Sequence, residues 1–334
     1  MTTLVFIHGR GQHTPPDLPA ERIPDFVRDL RGRWLQALDV GLAASGLDPV
    51  PEDTPVVFPF YANAFRDAVA AREGDGPGPD LALWATGHPM PGDLRPVCEV
   101  KAELLDDVIT HVPAQRPSTD REGTARGVPA GVERPWWKLD ELLRIPWLRA
   151  ALQQLARTEG VSARVIESQF TDVAYYLGCA EVRETVLGIV EDSLAGVPRG
   201  EPLVMVGHSL GSVVAYDLLT RMDPERTVSL LVTSGSPLGL PAVQKHLLGH
   251  GGVSPAPVPA LVPARAGSWR NGYDVRDVVA ILNPLAPHLA QEPNGQVLDV
   301  RVDTGSEPHA VDGYLEQPEM AGAVGELLTA ASAP

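Results

Sequence analysis

Lysine and cysteine are scarce in this chain. Of its 27 basic residues only Lys101, Lys138 and Lys245 are lysines, and the rest are arginines. With the abundant Ala, Gly and Pro, that bias points to a GC-rich genome and carries no chemistry. The two cysteines, Cys98 and Cys179, are far apart, which excludes a disulfide framework and a cysteine metal cluster. Idle or buried thiols are expected. Positive charge is also short: 43 acidic residues give a net charge of −16. Such a balance repels phosphate backbones and anionic headgroups, so no nucleic-acid partner is expected. No apolar run is long enough to span a bilayer, so no membrane span is expected. The chain reaches Leu4-Val5-Phe6-Ile7 without a basic n-region, a long apolar stretch or a cleavage site, which excludes a signal peptide there and favours a cytoplasmic location. Among nine histidines none is paired as in H-E-x-x-H, so neither a catalytic metal nor a cofactor is expected.

What is present supports an α/β protein. With 334 residues, 44% of them hydrophobic, the chain is large enough for one α/β domain with an insertion, or for two small domains. Leu4 to Ile7, Leu203 to Val206 and Val228 to Val232 are short continuous apolar runs, the pattern of strands buried on both faces. Val56 to Tyr61, Trp269 to Tyr273 and Val297 to Val302 read as further strands. Helical spacing predicts helices over Pro24 to Leu42, Glu167 to Leu194, Leu210 to Met222 and 310 to 331. This alternation implies a mostly parallel central sheet flanked by helices. It breaks between about residues 74 and 135, where Gly76-Pro77-Gly78-Pro79 and His88-Pro89-Met90-Pro91 signal loops. Residues 62–165 are accordingly read as an inserted helical and loop cap, with 1–61 and 166–334 forming the core.

Gly207-His208-Ser209-Leu210-Gly211 fits G-x-S-x-G, and its setting gives the pattern weight. Four apolar strand residues precede it and a helical segment follows, the context a nucleophile elbow requires. The tight turn needs small flanking residues and lifts the serine hydroxyl above the sheet. The Leu210 amide falls at a helix N-terminus, where partial positive charge stabilises an oxyanion. A second amide is expected from Gly9 or Arg10, in the loop after the first strand.

A serine hydroxyl needs a general base, and in chains with such an elbow the order is serine, acid, histidine. His309, the last histidine, follows the strand at 297 to 302 and is the expected base. His246 and His250 precede the acid strand, and His288 precedes the final strand. The acid orients the imidazole and should follow the penultimate strand. Asp277, beyond that strand and followed by Val278-Val279-Ala280, is favoured over Asp274, with Asp303 third.

Together the His8-Gly9 loop, the 207 to 211 elbow, the Asp277-x-Val279 segment and His309 resemble the α/β-hydrolase superfamily. The chain is similar to its bacterial serine esterase or lipase-like members that begin directly with the oxyanion-loop strand. Asp172-Val173-x-x-Tyr176 and Trp269-x-Asn271 resemble the same group. The resemblance implies a carboxylic ester hydrolase, with a triad of Ser209, Asp277 and His309 acting on a small-molecule acyl substrate. It covers most of the chain but not residues 62 to 165, where substrate choice would sit. Candidate substrate-contacting residues are His8, His208, Trp136, Trp137 and Tyr176. The tryptophans would line an acyl pocket or pack the cap onto the core. A thioesterase or acyltransferase on a carrier-bound acyl chain, and a non-catalytic binding protein of the same fold, remain as alternatives.

Overall fold

The computed structural model describes residues 1–9, 11–74, 94–111, 163–247, 260–261, 268–290 and 297–330. Six strands form one sheet: β1 (Thr3–Ile7), β2 (Val56–Val57), β3 (Leu203–His208), β4 (Val228–Ser234), β6 (Trp269–Tyr273) and β8 (Val297–Arg301). Their order across the sheet is β2-β1-β3-β4-β6-β8, and every pairing is parallel. Two short strands, β5 (Ala260–Leu261) and β7 (Leu289–Ala290), pair separately.

Parallel strands need crossover helices, so both faces of the sheet are covered and the strands are apolar throughout. Successive residues go to opposite cores. Val5, Ile7, Met205 and Leu231 point to one; Leu4, Phe6, Val206 and Val232 point to the other. The first core is closed by α2 (Ala62–Glu73), α3 (Arg95–His111), α4 (Ala163–Gly178), α5 (Ala180–Leu194), α6 (Leu210–Arg221) and α7 (Pro241–Leu247). The second is closed by α1 (Ile23–Ala44), α8 (Val311–Leu315) and α9 (Pro318–Ala330). Among the described residues no helix is long and apolar enough to cross a membrane. Both cysteines are buried.

Four segments depart from the sequence expectations. The strand expected over 56 to 61 pairs only at Val56 and Val57, because Pro59 has no N–H for a ladder. The helix expected over 167 to 194 is two helices, broken at Cys179, whose backbone is extended (φ −124°, ψ 104°) after the weak helix former Gly178. The terminal helix is likewise two, α9 starting at Pro318, a residue that opens a helix but does not continue one. Helix α3 was not picked out within the expected helical and loop cap. Its buried Val97, Val100, Leu104, Leu105 and Val108 recur at helical spacing, inside a stretch where Pro and Gly pairs pointed to loops. With Phe65 of α2, these side chains join the same core as the sheet. The region expected as an insertion therefore supplies two core helices.

Candidate active site

Every segment of the site leaves the C-terminal end of a parallel strand, where open α/β sheets place their binding crevices. Ser209 follows β3, Gly9 follows β1, Gly235 follows β4, Asp277 follows β6 and His309 follows β8. Ser209 has φ 55° and ψ −126°, and among the described residues it alone of the non-glycines has a positive φ. Such a conformation costs of order 1–3 kcal/mol and persists only where surrounding contacts impose it. Here those contacts are the Ser209 N–H donating to the Ser234 carbonyl at 3.0 Å and the Ser212 hydroxyl donating to the Ser209 carbonyl at 2.6 Å. The backbones around the turn are in close contact. A Cβ on Gly9 would lie 2.8 Å from the Ser209 Cβ, and one on Gly211 would lie 2.0 Å from the Ile7 carbonyl oxygen.

The structure brings Ser209, His309 and Asp277 together. His309 Nε2 lies 3.0 Å from Ser209 Oγ, and His309 Nδ1 lies 2.8 Å from Asp277 Oδ2. With Asp277 ionised, Nδ1 donates to it and Nε2 is free to accept from the serine hydroxyl. Asp277 is held from its other side as well: Oδ1 accepts the Val279 N–H at 2.9 Å, and Oδ2 accepts the Tyr314 hydroxyl at 2.7 Å. Burial alone would raise its pKa. The charge and hydrogen bond of His309, with those of Val279 and Tyr314, outweigh burial and hold the carboxyl below its usual range.

Asp274, the nearest competitor, does not meet His309. It accepts Arg276 on both oxygens, with Nε at 3.0 Å and Nη2 at 2.6 Å, and the Thr304 amide at 3.0 Å and hydroxyl at 2.9 Å. Burial pushes its carboxyl up, but these donors bring it down to about 2. Asp274 thus ties the end of β6 to the segment that leads into His309. Asp303 is exposed and pairs with Arg276. His246 pairs with Glu103, and His250 lies outside the described residues.

Above the serine is a cavity of about 300 Å³, bordered by His208, Trp34, Arg33, Gln12, Gln169 and Asp312 beside Ser209 and His309. His208 is among the candidate contact residues that reach it. The residue is 8% exposed, and its ring centroid lies 4.8 Å from that of His309. Its Nε2 is buried with no hydrogen-bond partner among the described residues. Burial, reinforced by His309, lowers its pKa to about 3, so the ring is neutral.

Two other candidates do not border that cavity. His8 is fully buried: Nδ1 donates to the Gly9 carbonyl at 2.8 Å, Nε2 accepts the Tyr61 N–H at 3.3 Å, and the ring stacks on that of Tyr61 at 4.0 Å. Burial lowers its pKa to about 4, against the opposing Gly9 carbonyl. Both ring nitrogens are occupied, so His8 fixes the loop. Tyr176 is also fully buried, its hydroxyl donating to Asp217 at 2.7 Å beside Arg183, which grips the same carboxylate at 2.7 and 2.8 Å. That network ties α4 and α5 to α6. Leu210 opens α6 directly after Ser209. Arg10, Trp136 and Trp137 lie outside the described residues. Among the described residues no group of His, Cys, Asp or Glu is arranged to hold a metal ion.

Sequence reasoning missed Tyr314 and Gly235. Tyr314 belongs to no motif, and its only signal is its position shortly after His309. Gly235 (φ 54°) directly follows β4, close to Asp277 and His309. A strand-terminal glycine at the C-terminal edge of a parallel sheet was the available signal.

Compared with known proteins, the chain matches no family model, no curated protein and no solved structure.

Proposed function

We propose that the protein is a serine hydrolase of the α/β-hydrolase fold that cleaves a carboxylic ester through an acyl-enzyme on Ser209. The observation that carries this reading is the hydrogen-bonded relay from Ser209 Oγ to His309 Nε2 (3.0 Å) and from His309 Nδ1 to Asp277 Oδ2 (2.8 Å), built on a strained serine at a strand–helix turn. A structural serine gains nothing from such strain, whereas a nucleophile needs its hydroxyl exposed to a general base.

In the reaction, Ser209 Oγ attacks the acyl carbonyl carbon while its proton passes to His309 Nε2. The carbonyl π pair moves onto oxygen, facing the amides of Leu210 and of Gly9 or Arg10. When the tetrahedral adduct collapses, the bond to the leaving alkoxide breaks and His309 returns the proton to that oxygen. Water then attacks the acyl-enzyme, giving its proton to His309, and Ser209 is released protonated. Asp277 stays ionised throughout, orienting His309 and stabilising its imidazolium. The chemistry needs no cofactor. His208 and Trp34, on the cavity wall, are the contacts proposed for the acyl or alcohol group. Residues 62–165 are proposed to carry further substrate selection.

Incubation with a fluorophosphonate followed by mass spectrometry tests this on the wild type and on Ser209→Ala. The expected result is one adduct on the wild type and none on the variant. A wild type that stays unmodified beside a labelled control hydrolase refutes the reading. An ester and thioester panel then distinguishes hydrolysis of an oxygen ester from a thioesterase.

A further inference from the structure

Tyr314 is a buried ionisable side chain in contact with the constellation, and the proposed chemistry leaves it unused. Its side chain is fully buried. Its hydroxyl accepts the Asp274 N–H at 3.1 Å and donates to Asp277 Oδ2 at 2.7 Å. That oxygen also receives His309 Nδ1 at 2.8 Å. The tyrosine therefore joins the strand end at Asp274 to the acid, and it shares one carboxylate oxygen with the base. Burial, with the neighbouring Asp277 charge, holds its phenol well above the ordinary range, so it stays a donor.

We infer that Tyr314 is a positioning residue that sets the direction and strength of the Asp277–His309 hydrogen bond. Two donors on one oxygen compete for its charge, so the phenol weakens the pull of Asp277 on the His309 proton. It also stops the carboxylate from rotating. With Val279 on Oδ1 and Tyr314 and His309 on Oδ2, exchange of the oxygens would break every one of these bonds. Tyr314 sits on α8, directly after the segment bearing His309, so docking of that helix places base and clamp in one step. The effect on rate rests on the hydrolase reading; the hold on the Asp277–His309 pair does not.

The test uses the full chain with 15N-labelled histidine. The Nδ1 proton of His309 is assigned by its loss in His309→Gln. Tyr314→Phe removes a competitor for Oδ2, so the expected result is a downfield move of this resonance. Phosphonylation is expected to slow roughly tenfold as the carboxylate loses its clamp. In case Tyr314→Phe does not fold, 3-fluorotyrosine at 314 keeps the shape and strengthens the donor. It should move the resonance upfield. A resonance unmoved in the folded variants overturns the proposal. A wild type inert to the fluorophosphonate whose resonance still moves in these opposite directions refutes the hydrolase reading and upholds the Tyr314 contact.

Discussion

Gly235→Ala should impair the site without replacing any residue that takes part in the chemistry. A Cβ at this position would stand 2.9 Å from Asp277 Oδ2, 3.1 Å from His309 Nδ1 and 3.2 Å from His208 Nε2, all inside the 3.4 Å where ordinary contact begins. The acid oxygen would have to retreat by about half an ångström. It is already held by His309 at 2.8 Å and Tyr314 at 2.7 Å, so its retreat lengthens the bonds that aim the imidazole. A misplacement of about 1 Å costs around a hundredfold in rate, so a loss between about tenfold and a hundredfold is expected. Two effects act on stability. An alanine at φ 54° costs about 1–2 kcal/mol, and overpacking adds about 1–3 kcal/mol. Gly46→Ala separates them, because Gly46 has φ 73° and open space around it. That control should lose stability from backbone strain alone and keep its rate. Fluorophosphonate inactivation rates and urea unfolding of both variants supply the measurements. A folded Gly235→Ala protein inactivated at the wild-type rate would refute the placement of Gly235 close to Asp277 and His309.

Two further predictions concern the neighbours of that glycine. Asp277→Asn should lower kcat by roughly 10⁴-fold, the scale set by an imidazole held in the wrong tautomer, whereas Asp274→Asn should cost mainly stability. Comparable losses of kcat in stably folded forms of both variants would mean that the assignment of the acid is wrong. On acidification, His8 and His208 should destabilise the fold. Their folded values, about 4 and about 3, lie below the ordinary 6.5, so between these limits the unfolded chain binds more protons. Stability is complete above about pH 6.5 and declines toward pH 4, each group contributing a slope of up to about 1.4 kcal/mol per pH unit. His208→Gln should flatten the slope of urea-unfolding stability against pH, and an unchanged slope would count against a buried neutral His208.

The glycine, the acid and the tyrosine also mark where sequence reading reaches its limit. Continuous apolar runs located β1, β3 and β4 because a strand covered on both faces has no polar side. They overextended β2, where a proline ends the pairing, and loop dipeptides concealed α3 although its apolar spacing was present. The elbow at Ser209 was legible because a strand, a tight turn and a helix N-terminus are all local.

By itself the sequence determined the parallel α/β layering, the serine at its strand–helix turn and the chain order in which Asp277 and His309 follow it. The tertiary structure decided which side chains meet. His309 is 100 residues from Ser209 and 32 from Asp277, and no local pattern encodes a contact across such separations. Asp274 and Asp277 share one loop, yet the turn directs one to Arg276 and Thr304 and the other to His309. His8 and Tyr176, polar residues beside suggestive motifs, turn into the core because their hydrogen bonds are satisfied there by Tyr61 and Asp217. Tyr314 reaches the acid only because α8 packs on the second core face, so its role arises from packing between distant elements.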